Sequence, residues 1–142
     1  MDNFNRILVT GGAGFIGGTL VRKLLTNFNC IIYNIDNLNY ASDPKSITNL
    51  EQSKDRYFHL NVNLKNIEAT QEALKEANPD IIFHLAAESH VDRSIMGPQI
   101  FIDTNIVGTF NLLEAARSHW ESCTVAKKQK FRFIHISTDE VF

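Results

Sequence analysis

Residues 7–17 read ILVTGGAGFIG and join an apolar run to a cluster of glycines. The run at 7–9 predicts a short buried β-strand, and an amphipathic pattern that begins at Phe15 predicts a helix directly after the glycines. The glycines satisfy the spacing G-x-G-x-x-G from Gly12 and the wider spacing G-x-x-G-x-x-G from Gly11. Between a strand and a helix, such glycines permit a tight turn and let the backbone approach a pyrophosphate, which the helix N-terminus favours. The stretch therefore predicts a dinucleotide-binding loop.

An acidic residue lies where a dinucleotide-binding fold places one. Asp36 follows a second apolar run, at 30–35, and comes about twenty residues after Gly17. A carboxylate at that position accepts hydrogen bonds from the adenosine ribose and repels a 2′-phosphate. The glycine loop and this acid together predict NAD, rather than NADP, as the ligand.

Apolar β-branched runs alternate with amphipathic segments along the chain. We predict strands at 7–9, 30–35, 57–60, 81–85 and 131–136, and helices at 15–28, 64–77 and 98–118. Between 37 and 53 we predict a loop with a short helix that begins near Pro44, and we interpret the cluster KKQK at 127–130 as a solvated loop. Apolar strands alternating with helices are typical of a parallel sheet covered on both faces. We therefore predict one α/β domain over residues 1–142: a Rossmann-like, doubly wound parallel sheet of strand order 3-2-1-4-5, truncated after strand 5.

Composition excludes several classes of function. Lys and Arg number 14 and Asp and Glu number 16, so the formal net charge of −2 gives no basic surface for nucleic acid or an acidic membrane. No apolar run reaches the roughly 20 residues of a membrane-spanning helix, and residues 1–6 lack the features of a signal peptide. Cys30 and Cys123 form neither a disulfide framework nor a metal-ligand spacing. We therefore expect a cytoplasmic protein that has no metal site and binds neither nucleic acid nor membrane.

Four further motifs follow the glycine loop: DNLNYA at 36–41, HLAAESHVDRS at 84–94, TNIVGT at 104–109 and STDEV at 137–141. With the loop, they resemble the N-terminal part of the dTDP-glucose 4,6-dehydratase family, in the extended short-chain dehydrogenase/reductase superfamily. The resemblance covers essentially the whole chain, and AAESHVDRS and STDEV point to this branch. It implies NAD as cofactor and dTDP-glucose as substrate. The implied reaction oxidises C4, eliminates water across C5–C6 and returns the hydride to C6, which gives dTDP-4-keto-6-deoxyglucose.

The resemblance also implies roles for three residues after the last predicted strand. Glu140 is implied as the base that removes the C5 proton, and Asp139 as the acid that protonates the departing C6 hydroxyl. Thr138 is implied as a hydrogen-bond partner of the C4 oxygen. Adjacent acids suit such paired roles, because burial and like charge separate the pKa values of two carboxyl groups.

Further contacts are expected around the carboxyl edge of the predicted sheet. The residues expected at NAD are Gly11, Gly14, Phe15, Ile16, Gly17, Asp36, Asn37, Leu38, Asn61, Val62, Leu85, Ala86, Ala87 and Thr104. The residues expected at the sugar nucleotide are Glu88, Ser89 and His90. Alternatives stay open for some of them: close packing against a helix for Ala86 and Ala87, a capping or packing role for Thr104 and Asn105, and no role for His90.

The sequence departs from the family pattern in three ways. It contains no Tyr-x-x-x-Lys, the motif that takes the C4 hydroxyl proton in the family, and it lacks the family's C-terminal substrate lobe. Asn61 and Phe142 stand where the family usually has Asp and Tyr. We therefore expect the chain to bind NAD without full activity.

Two other functions stay open, as does the oligomeric state. The chain could be another extended short-chain enzyme, such as a nucleotide-sugar epimerase or decarboxylase, but these need no acid beside a base as at 139–140. It could also be a non-catalytic NAD-binding module, which the missing Tyr-x-x-x-Lys favours. The resemblance implies a homodimer built through the helix at 98–118. Because the partner helix of that bundle is missing, we do not expect the usual dimer. The exposed edge of strand 5 invites pairing with another chain, so we expect association or poor solubility instead.

Overall fold

The computed structural model describes residues 4–39, 42–43 and 55–137, which contain a five-stranded sheet and its flanking helices. The strands are β1 (Arg6–Thr10), β2 (Ile31–Ile35), β3 (Tyr57–Leu60), β4 (Ile81–His84) and β5 (Arg132–His135). The helices are α1 (Phe15–Asn27), α2 (Ile67–Ala77), α3 (Val91–Met96), α4 (Pro98–Phe101), a π-helix (Ile102–Gly108), α5 (Thr109–Ser122) and α6 (Val125–Lys130). The helix predicted near Pro44 lies outside the described residues. None of the helices in these ranges is long and apolar enough to cross a membrane.

The sheet is parallel throughout, in the order β3-β2-β1-β4-β5. This confirms the predicted fold class and strand order. Val9 at the centre of β1 lies opposite Asn34 of β2 and Phe83 of β4. The chain runs outward from β1 in both directions, so the loops after β1, β2 and β4 meet at one edge of the sheet, where ligands bind in this architecture.

The central strand is covered on both faces because its side chains alternate between two cores. Ile7 and Val9 pack with the buried residues of α1. Leu8 points the other way and packs with Leu74 of α2 and Leu112 of α5. All five side chains are at most 1% exposed, and burying each of them stabilises the fold by about 1.5–3 kcal/mol. The two cores hold the carboxyl end of β1 in a fixed place.

The segment between β4 and α5 differs from the single helix predicted at 98–118. A short helix, α3, precedes Gly97, and Pro98 then begins α4 as predicted. The chain next widens into the π-helix before α5 continues to Ser122. Apolar residues at a spacing of about four fit both an α-helix and a π-helix, so the sequence pattern did not reveal the wider turn.

The interpretation of 127–130 as a solvated loop is wrong, because these residues belong to α6. The hydroxyl of Thr124 accepts a hydrogen bond from the backbone N–H of Lys127 at 3.4 Å and caps the helix. The ammonium of Lys127 donates to the backbone and side-chain oxygens of Asn78 at 2.8 and 2.6 Å. These contacts tie α6 to the C-terminal end of α2.

Candidate functional site

A cleft of about 600 Å³, including the space at its open mouth, lies at the carboxyl edge of the sheet. Its walls come from the loops after β1, β2, β3 and β4 and from the π-helix. The lining residues are Gly11, Gly14, Ile35, Asp36, Asn37, Asn39, Ser42, Val62, Asn63, Leu64, Leu85, Ala86, Ala87 and Thr104. The cleft therefore occupies the position at which doubly wound sheets bind their ligands.

The glycine loop has no room behind it and open space in front of it. Gly11 has φ of +72°, and a Cβ there would lie 2.7 Å from the backbone nitrogen of Ala86. A Cβ on Gly17 would collide with the carbonyl oxygen of Gly11. A Cβ on Gly14, in contrast, would meet only that same carbonyl oxygen, at 3.3 Å. Gly14 also lines the cleft, so its missing side chain leaves free the space in which a ligand would lie.

Two buried side chains of the second strand region hold the loop in this conformation. The side-chain oxygen of Asn34 accepts a hydrogen bond from the N–H of Gly12 at 2.9 Å, while its amide nitrogen donates to the Tyr57 hydroxyl at 3.0 Å. One carboxylate oxygen of Asp36 accepts from the N–H of Ala13 at 2.9 Å. The loop is therefore fixed before any ligand binds. Asn34 was not predicted as a site residue.

Asp36 also organises the loop that follows β2. Its second carboxylate oxygen accepts hydrogen bonds from the N–H of Leu38 at 2.9 Å and from the hydroxyl of Ser42 at 3.0 Å. A carboxylate offers about four lone-pair positions, so these three contacts leave acceptor capacity for a ligand hydroxyl. Asp36 lines the cleft, as the sequence predicted.

The loop after β4 is held by a side chain of the π-helix. The side-chain oxygen of Asn105 accepts from the N–H of Glu88 at 2.8 Å, and its amide nitrogen donates to the carbonyl of Glu88 at 2.9 Å. The carboxylate of Glu88, which is buried, accepts a hydrogen bond from the side-chain amide of Asn39 at 2.7 Å. Asn105 thus acts in positioning this loop, and the neighbouring Thr104 faces the cleft.

The structure brings together most of the residues predicted at the cofactor. Those that line the cleft are Gly11, Gly14, Asp36, Asn37, Val62, Leu85, Ala86, Ala87 and Thr104. Those outside its lining are Phe15, Ile16, Gly17, Leu38 and Asn61. Gly17 is buried behind the loop, whereas the other four are exposed.

The structure describes only three of the six residues predicted to act on the substrate. Ser89 and His90 are exposed beside the buried Glu88, and Thr138, Asp139 and Glu140 lie outside the described residues. The roles given to all six stay predictions. Within the part of the chain that the structure describes, no three His, Cys, Asp or Glu side chains lie together as a metal site requires.

Some residues of the cleft were not predicted. They are Ile35, Asn39, Ser42, Asn63 and Leu64. All of them lie at or just after the carboxyl ends of β2 and β3, so the rule that ligands gather at strand ends could have found them. Leu64 is held in place from α5, because the side-chain amide of Asn111 donates to the carbonyls of Leu64 and Lys65 at 2.9 and 3.0 Å.

A fully buried histidine, His84, ends β4, directly before Leu85 of the cleft lining. One ring nitrogen of His84 is 2.6 Å from the Thr10 hydroxyl and the other is 2.9 Å from the Thr109 hydroxyl. Burial, with a smaller contribution from the positive charge of His135, lowers the pKa of His84 to about 4. His84 is therefore neutral at pH 7 and ties β1 to β4 and α5.

We expect the protein to lose stability as the pH falls from about 6.5 to about 4. Over this range the unfolded chain protonates His84 and the folded chain does not, so the free energy of unfolding decreases by about 2–3 kcal/mol. Urea denaturation at pH 7.5 and 4.5 measures the change. His84→Gln should flatten most of this dependence, and His119, whose pKa burial also lowers, contributes part of what remains. Equal pH dependence in both proteins would contradict the role of His84.

The comparisons with known proteins agree with this geometry. The sequence profile described as GDP-mannose 4,6 dehydratase matches residues 8–142. The chain belongs to the GDP-mannose 4,6 dehydratase family. The family resemblance found in the motifs is also confirmed by a curated relative, dTDP-glucose 4,6-dehydratase 1 of Escherichia coli strain K12, which is 49% identical over 137 residues. That match covers 96% of this chain and 38% of the relative, so the chain spans about two fifths of the relative's length.

Two solved structures that are similar to this chain contain NAD. The dTDP-glucose 4,6-dehydratase of Bacillus anthracis, solved in complex with NAD, superimposes with a TM-score of 0.77 at 30% identity, covering 96% of this chain and 38% of that one. The UDP-glucose 4-epimerase of Thermus thermophilus, also complexed with NAD, has a TM-score of 0.70 at 32% identity, covering 80% and 34%. The same fold therefore occurs in enzymes that catalyse two different reactions, a 4,6-dehydration and a 4-epimerisation.

Proposed function

We propose that the cleft binds NAD, with the pyrophosphate at the glycine loop and the adenosine ribose at Asp36, and that residues 1–142 form an NAD-binding domain. The main support for this proposal is that Gly14, which has open space in front of it, and Asp36 line the same cleft. The NAD complexes of the Bacillus anthracis and Thermus thermophilus enzymes support the proposal. NAD, when bound, supplies a hydride acceptor that can later return the hydride.

The residues of the cleft fit such a ligand along its length. Ala86 and Ala87 contribute small side chains beside Gly11, so the backbone there is accessible to a ribose or a phosphate. The first turn of α1 carries backbone N–H groups without intrahelical partners, which favour an anion. Thr104 of the π-helix also lines the cleft, and a threonine hydroxyl can both donate and accept a hydrogen bond.

For the whole protein we propose dTDP-glucose 4,6-dehydratase activity. The support is the 49% identity to the Escherichia coli dehydratase together with the motif STDEV. Glu140 takes the proton from C5 of the hexose, and Asp139 gives a proton to the departing C6 hydroxyl, so that water leaves across C5–C6. Thr138 hydrogen-bonds the C4 oxygen. The adjacent carboxyl groups can act as base and acid because a shared site separates their pKa values.

The product formed from dTDP-glucose tests this activity. We expect the whole protein, incubated with NAD⁺ and dTDP-glucose, to form dTDP-4-keto-6-deoxyglucose, visible as a new methyl signal in proton NMR. We expect none from its Glu140→Gln variant, and none from residues 1–142 alone, because they contain no Tyr-x-x-x-Lys. Formation of the C4 epimer would favour the epimerase function of the Thermus thermophilus neighbour. NAD binding without any product, observed with the whole protein, would favour a non-catalytic NAD-binding module.

A further inference from the structure

One hydrogen bond joins two loops that the sheet order keeps apart. The side-chain amide of Asn39, after β2, donates to the buried carboxylate of Glu88, after β4, at 2.7 Å. In the sheet, β1 lies between β2 and β4. The contact therefore spans the carboxyl end of β1, where the glycine loop begins, and Asn39 itself lines the cleft.

The Asn39 end of this bond is braced by its own loop. The backbone N–H of Ser42 donates to the carbonyl of Asn39 at 3.1 Å, and the hydroxyl of Ser42 donates to Asp36 at 3.0 Å. The N–H of Asp43 donates to the carbonyl of Ala13 at 3.0 Å, which fixes the loop to the glycine loop. Asn39 is thus held over the cleft by main-chain contacts rather than by its side chain alone.

The Glu88 end is braced independently. Asn105 of the π-helix binds both the N–H and the carbonyl of Glu88, at 2.8 and 2.9 Å. This clamp acts on the backbone, so it does not need the carboxylate. The carboxylate of Glu88 accepts the bond from Asn39, and a buried charged acceptor makes a stronger hydrogen bond than an exposed one.

We propose that Asn39 and Glu88 are positioning residues that form a strap across the cleft and retain the bound dinucleotide. The inference rests on the proposed NAD binding and deepens it. A dinucleotide that runs from Asp36 past the glycine loop to Thr104 passes the end of β1, where the strap joins the loop that carries Asn39 to the loop that carries Glu88. Release then requires the Asn39–Glu88 bond to open, so the bond slows dissociation.

Stopped-flow measurement of NADH association and dissociation, by protein fluorescence, tests the strap. Asn39→Ala removes the donor and is expected to raise the dissociation rate about tenfold, the factor that one hydrogen bond to a carboxylate supports. Asn39→Asp sets two carboxylates against each other and is expected to raise it further. The association rate should also rise in both variants, because entry to the cleft requires the same bond to open.

An exchange of donor and acceptor separates the strap from a general structural role. Glu88→Gln keeps an acceptor oxygen for Asn39 but removes its charge, so it should raise the dissociation rate less than Asn39→Ala does. The double variant Asn39→Asp with Glu88→Gln rebuilds the bond in the opposite direction, so it should return the dissociation rate towards the wild-type value. Glu121→Gln is the matched control, because the Arg117–Glu121 hydrogen bond has the same 2.7 Å length on the exposed side of α5.

The outcomes decide between the two proposals. Faster dissociation in the two Asn39 variants, reversed in the double variant, supports the strap. Unchanged dissociation, a rise that the double variant does not reverse, or faster association with unchanged dissociation overturns the strap while NAD binding stands. A wild-type protein that binds no NADH overturns the proposed function and the strap with it.

Discussion

Gly14→Val is expected to abolish NAD binding while the protein stays folded. A Cβ at Gly14 touches only the carbonyl oxygen of Gly11, at 3.3 Å, and the backbone there has φ −77° and ψ 175°, an extended conformation open to any residue. The valine side chain would then occupy the cleft in the place proposed for the pyrophosphate. We expect the dissociation constant for NAD⁺ in isothermal titration calorimetry to rise at least about 100-fold, with a loss of stability of only about 1 kcal/mol at the helix cap.

Gly17→Ala in the same loop is the matched control. Where Gly14→Val should weaken NAD⁺ binding and cost little stability, Gly17→Ala should mainly cost stability. Its smaller added methyl group meets the carbonyl oxygen of Gly11 in a closed space, so either α1 or the loop must move. We expect a loss of roughly 2–4 kcal/mol in the free energy of unfolding by urea. Undiminished NAD⁺ binding by Gly14→Val would show that the ligand lies elsewhere. If Gly14→Val unfolded the protein, a side chain at this position would not have the open space in front of it that we infer here.

The parts of the fold and site that the sequence predicted depend on short-range patterns. The glycine spacing, the apolar runs and the position of Asp36 after β2 each lie within one strand–turn–helix unit, where periodicity and turn chemistry decide the structure. The strand order followed from right-handed crossovers between these units. For this reason the sequence located the cleft and most of its glycine, alanine and acidic lining.

The parts that it did not predict depend on partners far apart in the chain. Asn34 holds Gly12, 22 positions away, and Asn39 bonds to Glu88, 49 positions away. Asparagine in a strand or loop carries no pattern that names such a partner. The π-helix was missed because its apolar spacing resembles that of an α-helix, and α6 was missed because six residues give too few turns for a periodic signal. The side chains that position the cleft were therefore less predictable than those that line it.

Asp36→Asn is expected to weaken the protein in two separable ways. The carboxylate accepts from three donors, the N–H groups of Ala13 and Leu38 and the hydroxyl of Ser42. An asparagine has one acceptor oxygen, so its NH₂ group must face one of the two backbone N–H groups. That unsatisfied donor should lower the free energy of unfolding by about 1–3 kcal/mol in urea denaturation without any ligand.

The second effect of Asp36→Asn appears only with nucleotide. Loss of the charged acceptor for the ribose hydroxyls should weaken NAD⁺ binding about 100-fold. Removal of the charge should also narrow the preference for NAD⁺ over NADP⁺, because a 2′-phosphate no longer meets a carboxylate. Calorimetry with both nucleotides measures this.

Asp103→Asn is the control, since it removes a carboxylate held in an exposed pair with Lys65 and should leave both nucleotide affinities unchanged. An unaltered stability would contradict the bracing of the loop by Asp36. An unaltered ratio of the NAD⁺ and NADP⁺ affinities would contradict the proposed position of the ribose at Asp36. It would not contradict the hydrogen bonds by which Asp36 holds the loop, because these form before any nucleotide binds.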